Sequence, residues 1–339
     1  MKALSIMRVF LVHCVVYYGY ELGKIHSYIF PFYVNIIFFV SGYLLFRKQL
    51  GGSAIDETVK EYPVHSGRTM FWNIIYRIFF PTVLFSTLEF LPKKIIRGET
   101  LVMTEFLWET IGGRTYWFTC ALLCAELIVL LFLFTRCRNI WIYWLVSMVL
   151  MCMGAYMIDN GLTIFGLAYN PWALDQGLCA VSFLVSGGLF WKYELLLQRI
   201  MSRTVVVLMV LAYLVVFTFF DTEIMGMMEF SYLSWYPIGC MAALLLIGVC
   251  RYLPSIPFIT FIGQYSIGFY FMSGALPTVM SILFLRFTSV PVWYGLVAVW
   301  FFSMTVAYFM TYILNRYFPW LFDFRLLWKQ NPKTSVTLS

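Results

Sequence analysis

Apolar residues run through this chain in blocks of about twenty, the length that crosses a hydrocarbon layer, separated by short polar stretches. The blocks predict ten helices, over residues 3–22, 28–46, 71–91, 115–135, 140–158, 172–191, 204–220, 230–250, 257–284 and 292–314. The ninth contains Gly263, Gly268, Gly274 and Pro277 and is expected to be kinked or broken. Apolar and polar residues do not alternate with period two, so a membrane β-barrel is excluded. The expected fold is an all-α polytopic membrane protein, a bundle of about ten transmembrane helices with no separate soluble domain. Its longest polar stretch is Arg47–Met70. One membrane domain is expected over residues 1–320, with a short cytoplasmic tail over 321–339. No small-residue cleavage site follows the first span, so that span is expected to stay in place.

Composition agrees with this pattern. The 339 residues are 62% hydrophobic and only 12% charged, about half the charged share of a soluble domain. Lys and Arg are unevenly shared between the loops. Fifteen fall on the side that holds both termini and six on the other. The positive-inside rule then places both termini in the cytoplasm of a multi-pass cell-membrane protein. Lys93, Lys94, Arg97 and Arg114 are an exception on the outer side. That loop could meet an anionic partner, or pair internally with Glu99, Glu105 and Glu109 as a solvated face. Eight cysteines without a CxxC pair and three histidines give no metal-ligand spacing, so no metal is expected. No nucleic-acid partner is expected.

Ionisable residues inside spans are costly and are functional candidates by default. Lys2 and His13 are eleven residues apart, three helical turns, so they share one face about 16 Å apart along the axis. Lys2 sits at the rim and His13 deep. A deep neutral histidine suits a general base; bonded across helices, it is structural instead. Arg8 points about 140° away from His13 and needs a partner. Glu126 is one choice, and a cofactor is the other. Ser41 and Gly42 form a small pair that lets a helix or ligand approach closely.

These pieces resemble membrane-bound acyltransferase family 3. Lys2-x10-His13 is similar to that family's Arg/Lys-x10-His signature, and "IFFVSGYLL" (37–45) to its Phe-Phe-x-x-Ser-Gly segment. "YRIFFPTVLFS" (76–86) resembles a basic-x3-Pro stretch, and "YWFTCALL" (116–123) a Trp-Phe-Leu segment. "NPWALDQGLCAVSFLVSG" (170–187) and "IGQYSIGFYFMSG" (262–274) resemble two later segments. Arg77 stands alone where many members pair two arginines.

The resemblance implies O-acyl transfer from acetyl-CoA to a hydroxyl of a surface polysaccharide or its lipid-linked precursor in the cell envelope. Membrane lipids are the surrounding partner. It implies His13 as catalytic base and Lys2, Arg8, Arg47 and Arg77 as donor-binding groups. Lys48 and Arg68 lie at the same rim. Arg47 and Lys48 serve topology equally well. Ser41, Tyr43 and Trp117 are candidate donors to an oxyanion. Asp175 is a candidate for binding an acceptor hydroxyl, or sits at a helix N-terminus for its dipole. A transporter or flippase for a glycan or lipid-linked sugar is the alternative.

Overall fold

The computed structural model describes residues 1–50, 66–135, 139–167, 169–219, 235–288 and 290–329. Among them there are helices and turns and no strand. The first half holds α1 (Lys2–Tyr18), α2 (Lys24–Ile29), α3 (Val34–Leu50), α4 (Gly67–Ile74), α5 (Phe80–Arg97), α6 (Met103–Thr110), α7 (Trp117–Phe134), α8 (Ile140–Asp159) and α9 (Leu174–Lys192). The second half holds α10 (Glu194–Ile200), α11 (Arg203–Phe219), α12 (Trp235–Tyr252), α13 (Pro257–Gln264), α14 (Ser266–Met272), α15 (Ala275–Thr288), α16 (Trp293–Tyr317) and α17 (Arg325–Lys329). Each expected apolar block is matched by helix. The polar stretch Arg47–Met70 lies outside the described residues from 51 to 65. So do the loop cations Lys60, Arg136, Arg138 and Lys333, together with Cys137 and residues 220–234.

The expected count of about ten spans is not confirmed by the described helices. Among the described residues, five helices are long and apolar enough to cross a membrane: Gly67–Pro92, Trp117–Phe134, Ile140–Asp159, Pro171–Lys192 and Trp293–Tyr317. Two bent pairs raise this to seven when each is counted as one span. They are Glu194–Ile200 with Arg203–Thr218, bent by 84°, and Ser266–Met272 with Ala275–Thr288, bent by 46°. The remaining blocks are short. α1 and α3 have 17 residues each, about 26 Å of rise against a hydrocarbon core of about 30 Å. The ninth block is broken as its glycines suggest, at Tyr265 and again at Ser273–Gly274, which leaves the seven-residue α14 between two breaks.

α9 is the centre of the bundle, buried along most of its length, with α3, α7 and α8 packed against it. Its small residues make this possible. A side-chain carbon on Gly42 of α3 would fall inside the Leu184 carbonyl of α9, and one on Gly187 of α9 inside the Phe39 carbonyl of α3. The two backbones are in contact at both points, as small residues at helix interfaces allow. Gly42→Val is therefore expected to force the helices apart at a cost of at least about 1–3 kcal/mol. The check is a lowered thermal midpoint of the detergent-solubilised protein. An unchanged midpoint would contradict the packing described.

Two cations of the segment 92–114 have partners within it. Lys94 Nζ lies 2.6 Å from both Glu99 Oε2 and Glu105 Oε1. Arg114 pairs with Glu109 at 3.2 Å, donates to the Tyr169 hydroxyl at 2.8 Å and stacks over its ring. These two cations are held by their own surroundings. The side chains of Lys93 and Arg97 are outside the described residues.

Candidate active site

The helix that carries Arg77 contains a local irregularity that follows from its sequence. Pro81 has no N–H and its ring crowds the preceding turn. Just before it, Ile75–Phe79 form a π-helical turn in which the Phe80 N–H bonds to the Ile75 carbonyl. In that register the Tyr76 carbonyl should receive the N–H of residue 81, which proline lacks. The orphaned oxygen takes its bond from elsewhere: the Phe324 N–H donates to it at 3.1 Å. π-turns of this kind are frequent at functional sites. This one turns Arg77 outward into a cavity.

The cavity has a volume of about 450 Å³, within the range of small-molecule sites. Its mouth is polar, lined by Lys48, Asn73, Arg77, Asn315 and Asp323. Lys2 and Glu126 lie further in. Its most buried part is apolar, lined by Ile37, Ile78, Phe118, Leu122 and Tyr270, each 7% exposed or less. Along α3 the wall runs from Lys48 to Ile37, eleven residues or about 16 Å. Glu126 has Arg77, Lys2 and Lys48 as its surrounding cations. Among the described residues, no hydrogen bond or ion pair holds Lys2, Lys48 or Arg77. Gln49, 3% exposed, also lines the cavity, and its Oε1 has no partner. A buried acceptor of that kind is satisfied by water or ligand. The site therefore presents unengaged cations near its mouth and an apolar end.

One wall is a strap formed by the chain after α16. Phe322, Asp323 and Leu326 face the cavity. Phe322 stacks on Phe85 at 5.6 Å and Phe324 on Phe80 at 5.2 Å. Arg325 locks it, with Nε donating to Asp323 Oδ1 at 2.8 Å and another nitrogen to Asn73 Oδ1 at 2.9 Å. So residues 321–329, within the expected tail, pack against α4 and α5, while 330–339 are outside the described residues. Burial alone would raise the Asp323 carboxyl, but the Arg325 hydrogen bonds and charge outweigh it and hold it below the ordinary carboxylate range. The pair's stabilisation is complete above that range and is lost as pH falls through the depressed Asp323 value. Arg325→Ala is expected to make the segment after Tyr317 protease-sensitive at neutral pH. In the unaltered protein the same sensitivity should emerge only in acid. Equal cleavage of the two proteins at neutral pH would refute the lock.

Of the residues singled out from the sequence, Lys2, Ser41 and Arg77 line the cavity. His13 does not. It lies on the same face of α1 as the lining residues Lys2 and Ile6, within about 40°, but Val9, 1% exposed, stands between. Its ring stacks on Tyr17 at 5.8 Å. Arg8 is not set against Glu126. Its Nε donates to the Ile29 carbonyl at 3.3 Å and its guanidinium lies over the Tyr33 ring. Tyr43 turns to Glu194, its hydroxyl donating to Oε2 at 3.0 Å, and Arg47 follows it at 3.4 Å. Trp117 packs edge-on to Phe118, one residue from the cavity. Asp175 accepts from Asn170 Nδ2 at 2.9 Å and from the Gln176 N–H at 2.8 Å in the first turn of α9, the dipole alternative.

Glu126, Gln49, Tyr270 and Asp323 were not read as site residues. Glu126, a lone acid within an apolar span, carried a usable signal, and so did Tyr270, within the segment 262–274 that resembles a family motif; Gln49 and Asp323 carried none. Among the described residues no group of three or more His, Cys, Asp or Glu could hold a metal ion. A family model described as an acyltransferase domain, that of acyltransferase family 3, matches residues 1–325. No curated protein and no solved structure matches the chain.

Proposed function

Because the chain belongs to acyltransferase family 3 over nearly its whole length, we propose that this membrane acyltransferase moves an acetyl group from acetyl-CoA to a hydroxyl of a surface polysaccharide or its lipid-linked precursor. The observation that carries the reading is the cavity: unengaged Lys2, Lys48 and Arg77 toward an open mouth, and an apolar closed end about 16 Å deeper. Basic groups at the mouth suit the phosphates of coenzyme A. The arm between its diphosphate and its sulfur has about thirteen bonds, roughly 15 Å when extended. Phosphates held at Lys48 and Arg77 would thus set the thioester at the apolar end. The Lys/Arg bias supports a cytoplasmic mouth and cytoplasmic termini, on the side where acyl-CoA is found.

The depth of His13 also supports this reading. Eleven residues beyond Lys2 on α1, it lies about 16 Å along the helix axis from that cavity-lining lysine. In the proposed step His13 takes the proton of the acceptor hydroxyl. The oxygen then bonds to the thioester carbonyl carbon, the carbon–sulfur bond breaks, and the proton passes on to the thiolate. Ser41 is the cavity-lining candidate for a donor to the developing oxyanion. Arg47, the remaining donor-binding candidate, lies off the cavity lining, as do Tyr43, Trp117 and Asp175, the candidates for substrate binding, while Arg8 anchors α1 against Ile29 and Tyr33.

The test is a deletion strain whose purified surface glycan is read by NMR. The expected result is normal glycan export with its acetyl groups missing, restored by the intact gene. Normal acetylation in the deletion strain would reject the reading. Loss of export itself would favour a transporter, which the family assignment does not.

A further inference from the structure

We propose that the aromatic floor of the cavity, Phe118 packed on Tyr270, gauges the acyl group and restricts the donor to acetyl-sized chains. The inference rests on the acyl-CoA reading above and adds the residues that set chain length. The cavity is about 16 Å deep along α3, and the extended arm takes up about 15 Å of that. The carbonyl and methyl carbons of an acetyl group add two bonds, about 3 Å, so the extended arm with acetyl already spans the whole wall and a longer chain meets its end. Phe118, 3% exposed, and Tyr270, 7% exposed, close that end with ring centroids 4.9 Å apart.

The floor is braced from behind, so it does not yield to a longer chain. Phe38 packs on the far side of Phe118 at 4.9 Å. Tyr116 lies 5.8 Å from Tyr270, and its hydroxyl donates toward Glu89 Oε2 at 2.6 Å and lies 2.9 Å from the Phe271 carbonyl. Phe271 in turn stacks on Phe85 at 4.4 Å. The layer thus ties α3, α5, α7 and α14 together. Interiors packed at this density accept an added methylene only by strain.

The experiment uses inverted membrane vesicles that contain the full chain, supplied with acetyl-, butyryl- or hexanoyl-CoA. Release of coenzyme A thiol is measured above vesicles that lack the protein. For the unaltered protein, kcat/KM is expected to fall about tenfold or more per added methylene, the lower end of what a closed apolar pocket discriminates. Phe118→Ala is expected to raise the butyryl-to-acetyl ratio at least about tenfold. If that variant fails to accumulate, Phe118→Leu and Leu122→Ala carry the same expectation. An unchanged ratio in a folded variant overturns the gauge, as does an unaltered protein that uses acetyl and hexanoyl donors equally. Vesicles that release no thiol from any of the three donors would reject the acyl-CoA reading itself, a separate outcome.

Discussion

His13→Ala is expected to lower acyl transfer about 10²–10⁴-fold, the contribution of a well-placed general base, without weakening the binding of acetyl-CoA. Both halves follow from its position. Helix rise sets the imidazole some 16 Å along α1 from Lys2. The side chain stands on the lining face of α1 yet beyond Val9, outside the cavity wall. It is only partly buried, and its ring contact is with Tyr17 on its own helix. Removing it therefore opens no hole in the core. The measurement is label transfer from acetyl-CoA to membrane-bound acceptor, alongside donor binding by the same vesicles. Retained transfer would remove His13 from the chemistry. Loss of donor binding together with transfer would mean that the imidazole supports the cavity rather than the reaction.

The second large effect is expected at Arg77. Arg77→Ala should weaken donor binding about 10–100-fold, because a hydrogen bond to a charged group is worth about 1.5–3 kcal/mol and 1.4 kcal/mol is a factor of ten. The loss should appear in the KM for acetyl-CoA and little in kcat, as for an interaction made equally in ground and transition states. The guanidinium projects from the π-turn into the cavity, and among the described residues no hydrogen bond or ion pair ties it to the protein. Arg77→Lys should recover part of the affinity, since lysine keeps the charge and loses the two-pronged geometry. The salt dependence of donor binding should become shallower in Arg77→Ala. An unchanged KM would show that the phosphates are held elsewhere.

Much of this protein was legible before any coordinates. The all-helical class follows from block length, because an apolar run of about twenty residues has no other stable form in a bilayer. The break in the ninth block was legible too, since Gly263, Gly268, Gly274 and Pro277 mark where a helix loses hydrogen bonds or stiffness. The number of spans was not. α1 and α3 are 17 residues long each, shorter than the apolar blocks they match, and α10 and α11 meet at a bend of 84° that the hydropathy pattern does not show. The close contact of α3 with α9 was half legible. Ser41-Gly42 announced that something would approach, and only the fold shows that Gly187 answers it from the other side.

The site divides in the same way. The common face of Lys2 and His13 depends on rise and twist along one helix, so sequence alone determined it. Glu126 was visible as a costly acid but was set against the wrong cation. Which cation meets it depends on which helices are neighbours and how each is rotated, and a helical period is silent on both. The strap is the clearest case. Arg325 reaches Asn73 across 252 residues, and Phe324 supplies the hydrogen bond that the Tyr76 carbonyl lacks because residue 81 is proline. The sequence determined that this carbonyl would be left without its helical donor. Only the tertiary structure decided that the end of the chain would provide one, because an orphaned backbone group specifies the need for a partner and not its address.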